Sequence, residues 1–194
     1  IKGKLKKEEV FTLLKRTTDP QTIYKKQKLD RDDVIDITDF DVIAWLKAEM
    51  RGKLDEEIAR AILVGDGRSS SSEDKIDPLK IRPVYGDDPT YTIKRTLTRA
   101  AGTDDYAFAK AFIKDIVKSR KDYKGSGNPV LYTTEDMLTN MLLIEDTSGR
   151  VIYDTIEKLK TALRVSDIVT VPVMENISRE DTGAHKKYNL LGVL

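Results

Sequence analysis

Residues 39–67, DFDVIAWLKAEMRGKLDEEIARAILVGDG, repeat apolar side chains at Ile43, Leu46, Met50, Leu54, Ile58 and Ala61/Ile62. Steps of three and four place them on one face of a 3.6-residue helix. Lys47, Glu49, Arg51, Lys53, Asp55, Glu56 and Arg60 fill the remainder. Thr38 and Asp39 suit a cap, Asp41 favours the positive end of the helix dipole, and Gly65 suits a left-handed stop. The pattern predicts one helix over 39–64, roughly 39 Å long, the diameter of a whole small domain. Such a rod is too long for a small enzyme core and looks like a scaffold spine, although periodicity alone favours an ordinary long core helix. Gly52 in its middle costs about 1 kcal/mol relative to Ala, so packing along the stripe has to hold that turn.

The chain has 194 residues, 39% of them apolar, enough for one large domain or two small ones with a buried core. Its 34 basic and 33 acidic residues nearly cancel, which disfavours unspecific nucleic-acid binding through net charge. Without cysteine there are no disulfides, thiolate zinc sites or cysteine nucleophiles. No apolar run approaches the ~18 residues of a membrane span, and residues 1–20 lack the plan of a secretory signal, so the expectation is a soluble, unsecreted protein. Ile1 stands where a start codon would give Met, and YNLLGVL stops inside an apolar run. Both ends read as cuts in a longer chain.

Along the chain, 1–19 holds a short helix-like or docking segment around Val10, Phe11, Leu13 and Leu14, and 22–37 alternates like a two-stranded excursion. RSSSSED (68–74) reads as a mobile loop, and IDPLKIRPVYG and YTIKRTLT (91–98) as strands, the former kept at an edge by Pro78 and Pro83. A second amphipathic helix is predicted from Thr103 to about Tyr123, burying Tyr106, Ala109, Phe112, Ile113 and Ile116. PVLYTT (129–134) is a buried strand, and Thr134, Glu135 and Asp136 open a helix carrying Met137, Leu138, Met141 and Leu142. DTSGRVIY (146–153) turns into a short strand, Ile156, Leu159 and Leu163 mark a last helix, and SDIVTVPVM (166–174) a further strand. The alternation is α+β.

Motifs that could carry chemistry fail on spacing. KGSGNP (124–129) lacks the Lys-Ser/Thr after its second glycine and enters a strand, so it reads as a turn rather than a phosphate loop. Asp30, Asp32, Asp33, Asp36, Asp39 and Asp41 lack the glycine and glutamate positions of a calcium loop, and read as a solvated face with helix caps. His185 is the only histidine and has no identifiable partner for a triad or a zinc site. No catalytic, cofactor or metal residue is assigned. Trp45 lies off the helical stripe and suits either a second packing layer or a subunit contact.

The order of these elements, with the phrases AILVGDG, NPVLYTTEDMLTNMLLIEDTSGRVIY and ALRVSDIVTVPVM, resembles the major capsid proteins of tailed bacteriophages, the Hong Kong ninety-seven type of shell fold, from about Gln21 to Asn176. The resemblance implies an extended-loop return strand at 22–37, a spine helix in a peripheral domain and an axial domain. The implied organisation is 1–38 as N-terminal segment and extended loop, 39–102 as spine and peripheral strands, 103–176 as axial domain, and 177–194 as a truncated return towards the peripheral domain. It further implies a non-enzymatic structural protein that assembles into hexamers and pentamers of an icosahedral shell in the bacterial host cytoplasm. That shell encloses the DNA genome of a virion without sequence-specific binding, without a membrane, and with scaffold, protease and portal proteins as further partners. Lys25, Lys26, Lys28, Trp45, Arg51, Glu56 and Arg60 are the candidate subunit-interface residues. The lysine–asparagine cross-link of some members is not carried over, since no partner asparagine or helper acid can be matched. An encapsulin-like cargo shell of the same fold and an unrelated α+β enzyme are the alternatives.

Overall fold

The computed structural model describes residues 41–66, 73, 76–181 and 186–194, with the isolated positions 17, 19, 20 and 22. The expected excursion at 22–37, including Lys25, Lys26 and Lys28, the serine run at 69–72 and His185 therefore lie outside the described residues, Thr22 excepted.

Helix α1 is unbroken from Val42 to Val64. Its cap is Asp41, later than Thr38 or Asp39, because the Asp41 carboxylate accepts from the Ala44 amide at 2.9 Å. It stops at Gly65, whose φ of 86° is costly for residues with a Cβ and whose N–H donates to the Ala61 carbonyl. A Cβ on Gly65 would meet Pro83 Cγ at 3.2 Å, so this glycine also permits the close approach of the chain returning beneath the helix end.

That return corrects the strands expected at 76–86 and 91–98. Pro78–Ile81 is a single helical turn, α2, and Val84–Gly86 a 3-10 turn. Proline fits a first helical turn, where its missing N–H has no intrahelical partner to lose, better than a ladder that needs the donor. Asp88 then holds a tight turn by accepting from the Thr90 amide at 2.8 Å, and the Thr90 hydroxyl first, with this amide second, depresses its pKa below the ordinary carboxylate value. Residues 92–100 are irregular. The segment is fixed by side chains instead: Leu97 packs on the core, and Arg95 reaches Asp115 and Asp122.

The core is built by α3 (Asp105–Ser119), β1 (Val130–Thr133), α4 (Glu135–Leu142) and α5 (Ile156–Leu163). Helix α3 contributes Phe108, Ala109, Phe112, Ile113 and Ile116, an apolar face at helical spacing; Tyr106, expected inside, is exposed. Met137, Leu138, Met141 and Ile144 come from α4 and its end, Leu159, Leu163 and Val165 from α5 and its exit, and Leu131 from β1. Three hydroxyl or carboxylate caps start these helices: Asp104 to Tyr106, Thr134 to Met137 and Thr155 to Lys158. Between α4 and α5, Asp146 folds DTSGR into a hairpin, its Oδ1 accepting from the Ser148 and Arg150 amides, and Glu145 bridges Val151.

The strand expected over 166–174 is shorter. Strand β2 covers Asp167–Thr170, and Pro172–Asn176 coils into a 3-10 turn that buries Met174. Strand β1 pairs parallel with β2, Leu131 opposite Ile168, with α4 and α5 making the crossover that a parallel pair requires. The last segment forms a hairpin of β3 (Ser178–Asp181) and β4 (Lys186–Asn189), then β5 (Gly192–Val193), which pairs antiparallel with the other edge of β1. The buried Thr133 hydroxyl donates to the Leu191 carbonyl at 2.7 Å and locks that closure.

Candidate self-association surface

Helix α1 carries the apolar stripe that its sequence demands, but the described residues bury only part of it. Leu46, Met50, Leu54 and Ala61 are half-buried, while Ile43 is 64%, Ile62 56% and Ile58 39% exposed. Trp45, on the adjoining face, is 47% exposed. Among the described elements, the main ones packed on α1 are the 3-10 turns at Val84–Gly86 and Pro172–Asn176, which are short beside a rod of roughly 35 Å. A row of large apolar residues left facing water along one rigid element is unusual for a chain that works alone.

The charged members of the helix do not all point outward to partners. Lys53 and Glu56 pair with each other at 3.1 Å, and this hydrogen bond raises the lysine pKa. Glu56, expected at the interface, is exposed beside Lys53, and Arg51 and Arg60 are exposed on the same rod. Lys25, Lys26 and Lys28 lie outside the described residues. A second exposed apolar area lies on the outer face of the sheet, where Tyr132 and its register partner Val169 are 43% and 37% exposed.

Among the described residues no group of three or more His, Cys, Asp or Glu side chains converges to hold a metal. KGSGNP is a helix-to-strand turn, with Gly127 at φ 75°. Among the described residues the acids with clearly lowered pKa values are tied to structural partners, Asp88 to Thr90, Asp154 to Lys158 and Asp167 to Lys160.

One polar feature escapes a reading by local motif. The C-terminal end of α3 and the exit of α5 face a common open cleft of about 610 Å³ lined by Arg95, Val117, Lys118, Arg120, Lys121 and Arg164. The run KSRKDYK at 118–124 signals half of it, but Arg95 and Arg164 are brought in only by the fold. No protein-family model, curated protein or solved structure matches this chain.

Proposed function

We propose that this chain is a shell-forming structural protein, the major capsid protein of a tailed phage or prophage, which self-assembles around DNA. The observation that carries the proposal is the solvent-facing Ile43, Ile58 and Ile62 on a single 23-residue helix, joined by Trp45 on the neighbouring face. A rod of that length with uncovered apolar residues stabilises itself by lying against neighbouring copies. Burial at roughly 25 cal/mol per Å² rewards each contact without any catalytic group. Tyr132 and Val169 on the sheet offer a second contact area, as a subunit surrounded by neighbours needs. A net charge of +1 supports the same reading, since a large charge repeated over many copies opposes closure.

Negative-stain microscopy and light scattering on the full gene product, with a scaffold protein if one is encoded beside it, test the proposal. Closed particles containing DNA are the expected result. Particles filled with protein cargo would reassign it to an encapsulin-like shell. A persistent monomer with saturable turnover of a small substrate overturns the proposal.

A further inference from the structure

The cleft between the ends of α3 and α5 holds five cationic side chains, Arg95, Lys118, Arg120, Lys121 and Arg164. Asp115 and Asp122 are the carboxylates bonded to this group, and both bind Arg95, at 2.7 and 3.4 Å. Five positive charges less two negative leave a local excess of three, although the whole chain carries only +1. Lys118, Arg120, Lys121 and Arg164 make no ion pair with a carboxylate among the described residues. Cations are favourable at a helix C-terminus, but that effect is worth a few tenths of a kcal/mol to about 1 kcal/mol per charge and does not require four on one cleft.

Two features show that the fold holds these groups in place at a cost. Arg120 is fixed with its guanidinium 5.0 Å from the centre of the Tyr123 ring and Nη2 donating to Asn128 Oδ1 at 3.2 Å, while Nη1 is closed from solvent and has no acceptor among the described residues. A buried donor without an acceptor is destabilising, and a small turn of the guanidinium toward an oxygen in the cleft relieves it. Arg164 ends α5 in the left-handed conformation, φ 58° and ψ 43°, where glycine is the unstrained choice. This arginine also lines the smaller neighbouring cleft with Asn128, Lys160 and Ser166. The left-handed residue is also the helix stop, its N–H donating to the Lys160 and Thr161 carbonyls, and it sets a charged side chain at the cleft where glycine is the usual choice.

From this arrangement we infer that the cleft is a binding site for phosphate-type oxyanions. The acceptor is either a free phosphate or pyrophosphate group or the phosphodiester backbone of a polynucleotide. Arginine guanidinium supplies paired donors to such oxygens, and the two lysines add mobile charge at the rim. All the residues of the site come from one chain, so binding is measurable on the unassembled protein.

The test uses the full chain at about 50 mM salt, titrated in one arm with sodium pyrophosphate by calorimetry and in the other with a fluorescent oligonucleotide by anisotropy. Saturable binding in either arm is expected. Binding of both probes in competition assigns a small-oxyanion site. Binding of the oligonucleotide alone, with a log–log salt slope of roughly −3 from four unpaired cations on a single strand, assigns a backbone site. Arg164→Gly is the key variant: it relaxes the left-handed turn, so the melting temperature holds or rises, while affinity falls roughly tenfold with the loss of a charged hydrogen bond. Lys118→Gln with Lys121→Gln weakens binding further, and Lys47→Gln on α1 leaves it unchanged. Absence of binding in both arms, or equal affinities for the wild type and Arg164→Gly, overturns the inference.

Discussion

Gly192 in β5 stands so close to Phe112 on α3 that a Cβ at position 192 would fall 2.9 Å from the ring's Cζ. The contact joins the last strand to the centre of the core, and β5 can reach β1 only because this residue has no side chain. Gly192→Ala is expected to destabilise the fold by about 1–3 kcal/mol through overpacking. Urea unfolding measures it. Phe112→Leu in the Gly192→Ala background should recover part of the loss, giving a non-additive cycle; additive costs would show that the two residues do not meet.

Arg95 donates from Nε and Nη2 to one oxygen of Asp115, at 3.0 and 2.7 Å, and this raises the already high arginine pKa. Both side chains are partly exposed, at 32% and 26%, so solvent screens the pair. A double-mutant cycle with Arg95→Gln and Asp115→Asn should return a small favourable coupling that shrinks at high salt.

Lys160 on α5 bonds Asp167 at the start of β2 at 2.8 Å. The lysine's hydrogen bond lowers the Asp167 pKa, and Asp167, followed by Glu157, raises that of Lys160. A depressed carboxylate adds stability above its unfolded pKa and loses it as pH falls through the folded one. The raised lysine adds stability below its ordinary value and loses it only when alkaline pH passes the folded one. The pair is therefore constant across neutral pH. The stability gap between wild type and Asp167→Asn should narrow from about pH 7 to about pH 3, read from urea midpoints. A gap that widens in acid would contradict this linkage.

Gly52 lies mid-helix in α1, exposed, with nothing within 4 Å of an added Cβ. Gly52→Ala should stabilise the isolated chain by up to about 1 kcal/mol. Thermal unfolding at low concentration checks it; a lower melting temperature would mean that the helix needs flexibility there.

Replacing Ile43 and Ile62 together by Ser removes apolar surface that is already in water. Chain stability should change by no more than about 0.5 kcal/mol per site, while any self-association seen by light scattering is lost. Large destabilisation of the monomer would instead show that the stripe serves its own fold.

Elements whose cause is local were legible in the residues themselves. The continuity of α1, the Thr134 cap, the apolar face of α3 and the Leu159/Leu163 face of α5 each follow from spacing and capping within a turn or two. The α+β class follows from their alternation. The tertiary structure decided whatever depends on partners distant in sequence. The strand-like residues at 91–98 find no neighbouring strand among the described residues, and Arg95 and Leu97 anchor their irregular backbone. Strand β5 exists because Thr133 and Gly192 let it close on β1. The α1 stripe was visible as a pattern, but periodicity records only that a face is apolar; whether that face is covered depends on what the rest of the chain can bring over it. The basic cleft is the extreme case, since Arg95, Arg120 and Arg164 belong to three separate segments and only the packing of α3 against α5 makes their charges neighbours.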